Sequence, residues 1–210
     1  MRAVLSALVA AAVLIAPLAA TAAPVSLPSD PTERAASCAA ALTVVSGASA
    51  GKPMTFETAD RIGHFGMIGS QGDASRMGPL GERVAALMKG MNDPAVAQAT
   101  LSACDKAYPQ TLASATVRLP TDRLDRGLGC LIVAATMGGI HSGVGTAEDP
   151  RAATYKSLMN SLPPALDADA TKAGLTTEDA LLAKLNALGK DVGGYGPPFK
   201  VAAACAKEFG

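Results

Sequence analysis

The chain has 210 residues, of which 49% are apolar, 17% charged and 3% aromatic, with no tryptophan. So much apolar content excludes a disordered or low-complexity polymer. The 18 basic and 18 acidic residues cancel, which leaves no basic footprint for nucleic acid or an anionic membrane surface, and no nucleic-acid partner is expected.

The chain opens with Met1-Arg2, a charge-free apolar run from Ala3 to Ala16, and the small-residue site Ala20-Thr21-Ala22. This pattern predicts a secretory signal peptide over residues 1–22, and hence a periplasmic or secreted protein. The run is broken by Pro17 and is shorter than the roughly 20 residues that cross a bilayer. A second uncharged stretch, Gly127 to Ala147, has its strongly apolar part confined to Leu128 to Ile140, which predicts a buried core helix. No stable membrane span is expected after signal cleavage.

The first helix is predicted from Asp30, an N-cap followed by Pro31 and by Glu33 in the third position, with Gly47 as its stop. Cys38, Leu42 and Val45 fall on one face of it. Segment Thr55 to Ile68 is a candidate helix, and the glycine-rich tract Gly63 to Gly72, which overlaps its end, reads as the most mobile element. Val84, Leu87, Met88 and Met91 form a helical stripe in which the two methionines fill core space. Asp93-Pro94 opens a helix carrying Val96, Leu101 and Cys104.

Asp122 then starts the helix that carries Cys130, and Asp149 to Leu162 is a further candidate. Thr176, with Asp179 three residues on, marks the start of a stripe through Leu181, Leu185, Leu188 and Val192. Pro197-Pro198 opens the last helix, with Val201 and Cys205. No segment sustains period-2 alternation, so the fold class is all-α.

The two ends of this series repeat. Leu27-Pro28-Ser29-Asp30 precedes Cys38 at the spacing at which Leu119-Pro120-Thr121-Asp122 precedes Cys130, and Cys104-Asp105-Lys106-Ala107-Tyr108 is matched by Cys205-Ala206-Lys207-Glu208-Phe209. The pattern predicts two tandem copies of a disulfide-stapled unit of about four helices, over residues 23–109 and 122–210, joined by a linker at 110–121. Four cysteines in an exported chain imply two disulfides, and the duplication selects Cys38 with Cys104 and Cys130 with Cys205.

Candidate chemistry is sparse. Gly47-Ala48-Ser49-Ala50-Gly51 matches the nucleophile-elbow pattern of a serine hydrolase, but that elbow needs a strand before the serine, and here a predicted helix precedes it. His64 and His141 each sit among glycines and are candidates for a shared pocket. No Cys-x-x-Cys pair is present, and neither a metal nor a cofactor is expected. The leading expectation is a non-enzymatic envelope protein that binds a protein partner or client through apolar helical surface. The alternatives are a carrier of a small apolar ligand in an inter-helical cavity, and a hydrolase built on Ser49.

Overall fold

The computed structural model describes residues 25–210 apart from Asn92; the predicted signal peptide lies outside the described residues. Among these residues there are eight α-helices and no strand: α1 (Pro31–Ser46), α2 (Phe56–Ser70), α3 (Met77–Gly90), α4 (Pro94–Ala107), α5 (Arg123–Gly143), α6 (Ala152–Lys172), α7 (Glu178–Val192) and α8 (Pro198–Phe209). No helix among them is long and apolar enough to cross a membrane.

Most helix starts follow from local chemistry. The Glu33 amide donates to Asp30 Oδ1 at 2.8 Å and the Asp125 amide to Asp122 Oδ1 at 2.9 Å, so each aspartate satisfies one of the unpaired amides at a helix start. Arg34 donates to the carbonyls of Pro28 and Ser29, and Arg126 donates to those of Pro120 and Thr121. In both halves, an arginine one turn past the cap thus braces the extended Leu-Pro segment that leads into the helix.

α7 starts one residue later than expected, because Thr177 and not Thr176 accepts the amide of Ala180. α6 runs well past Leu162, straight through Pro163 and Pro164. Both prolines lie on the solvent side, as do Met159 and Asn160, whose carbonyls they leave without a helical donor. Water can hydrate those carbonyls, so the helix continues.

The disulfides join Cys38 to Cys104 and Cys130 to Cys205, each tying the first helix of one half to its last. Within its half, α1 contacts α2, α3 and α4, while α5 contacts α6, α7 and α8. The two halves meet along α2, which also packs on α5, α7 and α8. Accordingly Phe56 and Met67 of α2 belong to the core of the C-terminal half, whereas Phe65 belongs to that of the N-terminal half.

The glycine-rich tract is helical and close-packed, contrary to its reading as a mobile element. A Cβ on Gly63 would lie 2.6 Å from the Met137 sulfur, and one on Gly72 would lie 2.2 Å from the Gly189 backbone carbon. Glycine is required at Gly72, where two backbones touch and φ is +78°, while at Gly63 the side-chain ends of Met137 and Ile140 fill the space that a Cβ would take.

Candidate functional site

Helix α2 presents two different faces. Phe56, Asp60, His64 and Met67 fall at helical spacing on the side turned to the C-terminal half, where the two candidate histidines are found. Asp60 is buried and faces three elements at once. Its Oδ1 accepts from the Tyr155 hydroxyl of α6, its Oδ2 accepts from the Phe199 amide at 3.2 Å, and Oδ1 lies 3.7 Å from His141 Nε2 of α5. Phe199 is the second residue of α8, so the carboxylate supplies both a capping acceptor and a negative charge at that helix start. Burial, and then the neighbouring Asp60 charge, push the Tyr155 phenol far above its ordinary range, so it stays a hydrogen-bond donor.

His141 stacks on Phe56 with ring centroids 4.4 Å apart, and its Nδ1 lies 2.7 Å from the Thr146 hydroxyl. Arg151 covers the Phe56 ring from 4.1 Å and pairs with Asp149 and Glu57. The Arg151 side-chain hydrogen bond is the main reason that the Asp149 carboxyl is held down to about 2. His64 Nε2 donates to the Gly193 carbonyl at 2.8 Å, while its Nδ1 is buried without a partner. Desolvation therefore lowers the His64 pKa and keeps the ring neutral, against the opposing pull of the Gly193 carbonyl and of Asp60 one helical turn back.

The structure thus brings His64 and His141 to the two sides of Asp60, but in closed packing, at 0% and 1% exposure. Thr146, His141 and Asp60 form a hydroxyl, imidazole and carboxylate series. Thr146 is itself buried, and its amide donates to the His141 carbonyl, closing the turn after α5. What the cluster does is clasp α5, α6 and α8 to α2. Asp60 and Tyr155 are 95 positions apart, and no local pattern pairs them.

Ser49 lies elsewhere, exposed in the short 3-10 turn Ala48–Ala50 that follows α1. A helix and not a strand leads into it, so the nucleophile-elbow architecture is missing there. Among the described residues, no group of three or more His, Cys, Asp or Glu side chains is placed to hold a metal ion.

The other face of α2 borders an apolar groove of about 380 Å³, walled by α1, α2, α3 and the end of α5. Ala35, Ala36 and Ala39 form the α1 wall and Ile62, Phe65 and Gly66 the α2 wall; Met77, Leu80, Gly81 and Val84 line it from α3, with Ile140, Gly143 and Val144 opposite. None of these side chains ionises. The space follows from side-chain volume: counted from the cysteine of each leading helix, α1 carries Ala36 and Ala39 where α5 carries Leu128 and Leu131. In the C-terminal half, Tyr155, Leu158, Leu162 and Leu166 of α6 are buried in the core that packs on α5.

A larger basin of about 600 Å³ between α5, α6 and α7 is lined by charged groups. Its Arg123 and Lys184 are already paired with Asp169 and Asp125. Compared with known protein families, with curated proteins and with solved structures, the chain matches none.

Proposed function

We propose that the chain is an exported, non-enzymatic carrier of a small uncharged apolar ligand, held in the groove between α1, α2, α3 and α5. The observation that carries this reading is a concave site of about 380 Å³ whose walls contain no ionisable group. Ligand pockets commonly span roughly 300 to 1,000 Å³ with mainly hydrophobic walls. A charged ligand would surrender its hydration with nothing in the walls to replace it.

Docking of a protein client has less support. The large exposed apolar residues Val45, Val96, Val144, Met159 and Leu182 come from five different helices or helix ends, one each, so no single helix presents an exposed stripe of them. Export to the periplasm or exterior rests on the signal-like leader, and the two disulfides fit an oxidising compartment. The tandem-copy reading is supported by the paired Asp30/Asp122 caps, the paired Arg34/Arg126 braces and the equivalent disulfides.

Titration with N-phenyl-1-naphthylamine, a small uncharged dye that fluoresces in apolar surroundings, tests the proposal. Saturable one-to-one binding is expected. Gly66→Leu should weaken it by about tenfold or more, a loss of about 1.4 kcal/mol, because a Cβ at Gly66 would meet only the tip of Met77, at 3.2 Å, and the added side chain occupies the groove. Absence of binding by the wild type, or unchanged binding by Gly66→Leu, would remove the groove as the site.

A further inference from the structure

We propose that helix α3 is the movable cover of the groove, pivoting on the Gln71–Gly72 turn, and that the apolar ligand enters and leaves beneath it. This rests on the reading of the groove as a ligand site. Four residues of α3 line the groove, so displacing this helix removes one entire wall.

The helix is weakly held. Of its 14 residues only Leu80 is buried, wedged against Gly69, where a Cβ would lie 2.9 Å from a Leu80 methyl. Its main packing is on α1 and α2, as that of α7 is on α5 and α2, so what separates the two helices is the burial of their side chains. Its N-cap position, Arg76, makes no side-chain capping bond, and Gly78, Gly81 and Gly90 each lower its intrinsic helix propensity by about 1 kcal/mol relative to alanine. Among the described residues one ion pair latches it to α1, Arg83 Nε to Glu33 Oε2 at 2.8 Å, which is half-exposed and therefore weak.

The pivot is firm by contrast. Gln71 and Gly72 both adopt positive φ, +52° and +78°, which turns the chain sharply after α2. The Gly72 backbone is pressed against that of Gly189 in α7, so the turn is fixed to the C-terminal half while the helix beyond it is loose. α7 holds the same place in its own half as α3 does in the first, and it is pinned. Leu188, Gly189 and Val192 are buried, Lys184 pairs with Asp125, and His64 grips the carbonyl of Gly193 just past its end.

The test uses the full mature chain, in which all four cysteines are disulfide-bonded. In a Glu33→Cys/Arg83→Cys variant, the new thiols replace the latch and are bridged by a short bis-maleimide, with the unbridged variant as its control. Two quantities are read: backbone hydrogen exchange of residues 77–90 against 178–192, and stopped-flow rates of N-phenyl-1-naphthylamine binding and release. The expected result is exchange at least about tenfold faster in α3 than in α7, as for an element of low local stability. Bridging should slow α3 exchange and lower both dye rates by about tenfold or more, with the equilibrium affinity kept within about threefold. Exchange in α3 as slow as in α7, or a bridged variant that binds and releases dye at the unbridged rates, would overturn the proposal. Should the dye bind neither wild type nor variant, the ligand reading fails, while the exchange comparison still decides whether α3 opens.

Discussion

The two halves share a frame and differ in their filling. Each begins with an aspartate cap and a bracing arginine, and each ties its first helix to its last through a disulfide. The C-terminal half then packs twenty buried residues, two of them from α2, into one cluster rich in leucine. The N-terminal half groups eight buried residues in its main cluster, with Ala35, Ala36, Ala40, Ala59, Leu80 and Ala97 buried outside it, and keeps an open groove beside its alanine-rich α1. A fully buried leucine contributes about 1.5 to 3 kcal/mol, several times what an alanine methyl can. One half therefore has packing to spare, whereas the other gives up packing for space and leans on its disulfide.

The sharpest way to test that contrast is to remove the two disulfides separately. Each closes a long loop, with sequence separations of 66 and 75, so each loss should cost roughly 4 kcal/mol in the chain-entropy view. The consequences should differ. Cys38→Ala/Cys104→Ala should leave residues 25–107 open to limited proteolysis, while Cys130→Ala/Cys205→Ala should remain folded with a lowered urea midpoint. Equal resistance of the two halves to protease would contradict the comparison.

Next in size is the clasp between them. Asp60→Ala strands the Tyr155 hydroxyl and the Phe199 amide, a loss of roughly 2 to 4 kcal/mol by urea denaturation. Asp60→Asn should cost less, because its carboxamide oxygen can still accept from one of them. Gly66→Leu works in the opposite direction. Replacing a mid-helix glycine should stabilise the chain by up to about 1 kcal/mol, even as the same variant loses the dye.

The smallest effect is a dependence on pH. Because the folded state disfavours protonated His64, the unfolded chain binds more protons below its ordinary pKa, and stability falls as the pH drops. The window opens below about pH 6.5, at no more than about 1.4 kcal/mol per unit for one proton. His64→Gln keeps a donor for the Gly193 carbonyl without a titrating ring. Urea midpoints between pH 5 and pH 8 should slope less in that variant than in the wild type, and identical slopes would show that His64 carries none of the dependence.

What was legible in the sequence was local or repeated. Caps at Asp30, Asp93 and Asp122 announce themselves within four residues, and the duplicated Cys placement selected the pairing that the structure contains. Arg34 and Arg126 stand four residues after the paired aspartates, but nothing in that spacing marks them, because their role depends on carbonyls that only the folded turn presents. The candidate helix from Asp149 to Leu162 ends short of Pro163-Pro164, and the solvent exposure that lets α6 run through them is a tertiary property. Glycines at 63 and 72 looked like freedom and turned out to be contact, because a missing side chain says nothing about what comes near it. The groove was the least legible feature, being an absence of side-chain volume between helices far apart in the chain.

The carrier reading is tested most directly by methyl chemical-shift mapping of the labelled mature protein during titration with N-phenyl-1-naphthylamine. The account predicts saturating shifts confined to the groove methyls, among them Ile62, Leu80, Val84 and Ile140, with Leu158 and Leu162 of the C-terminal core unmoved. Shifts centred on Met159 or Leu182, or no saturating shift at the groove methyls, would contradict it.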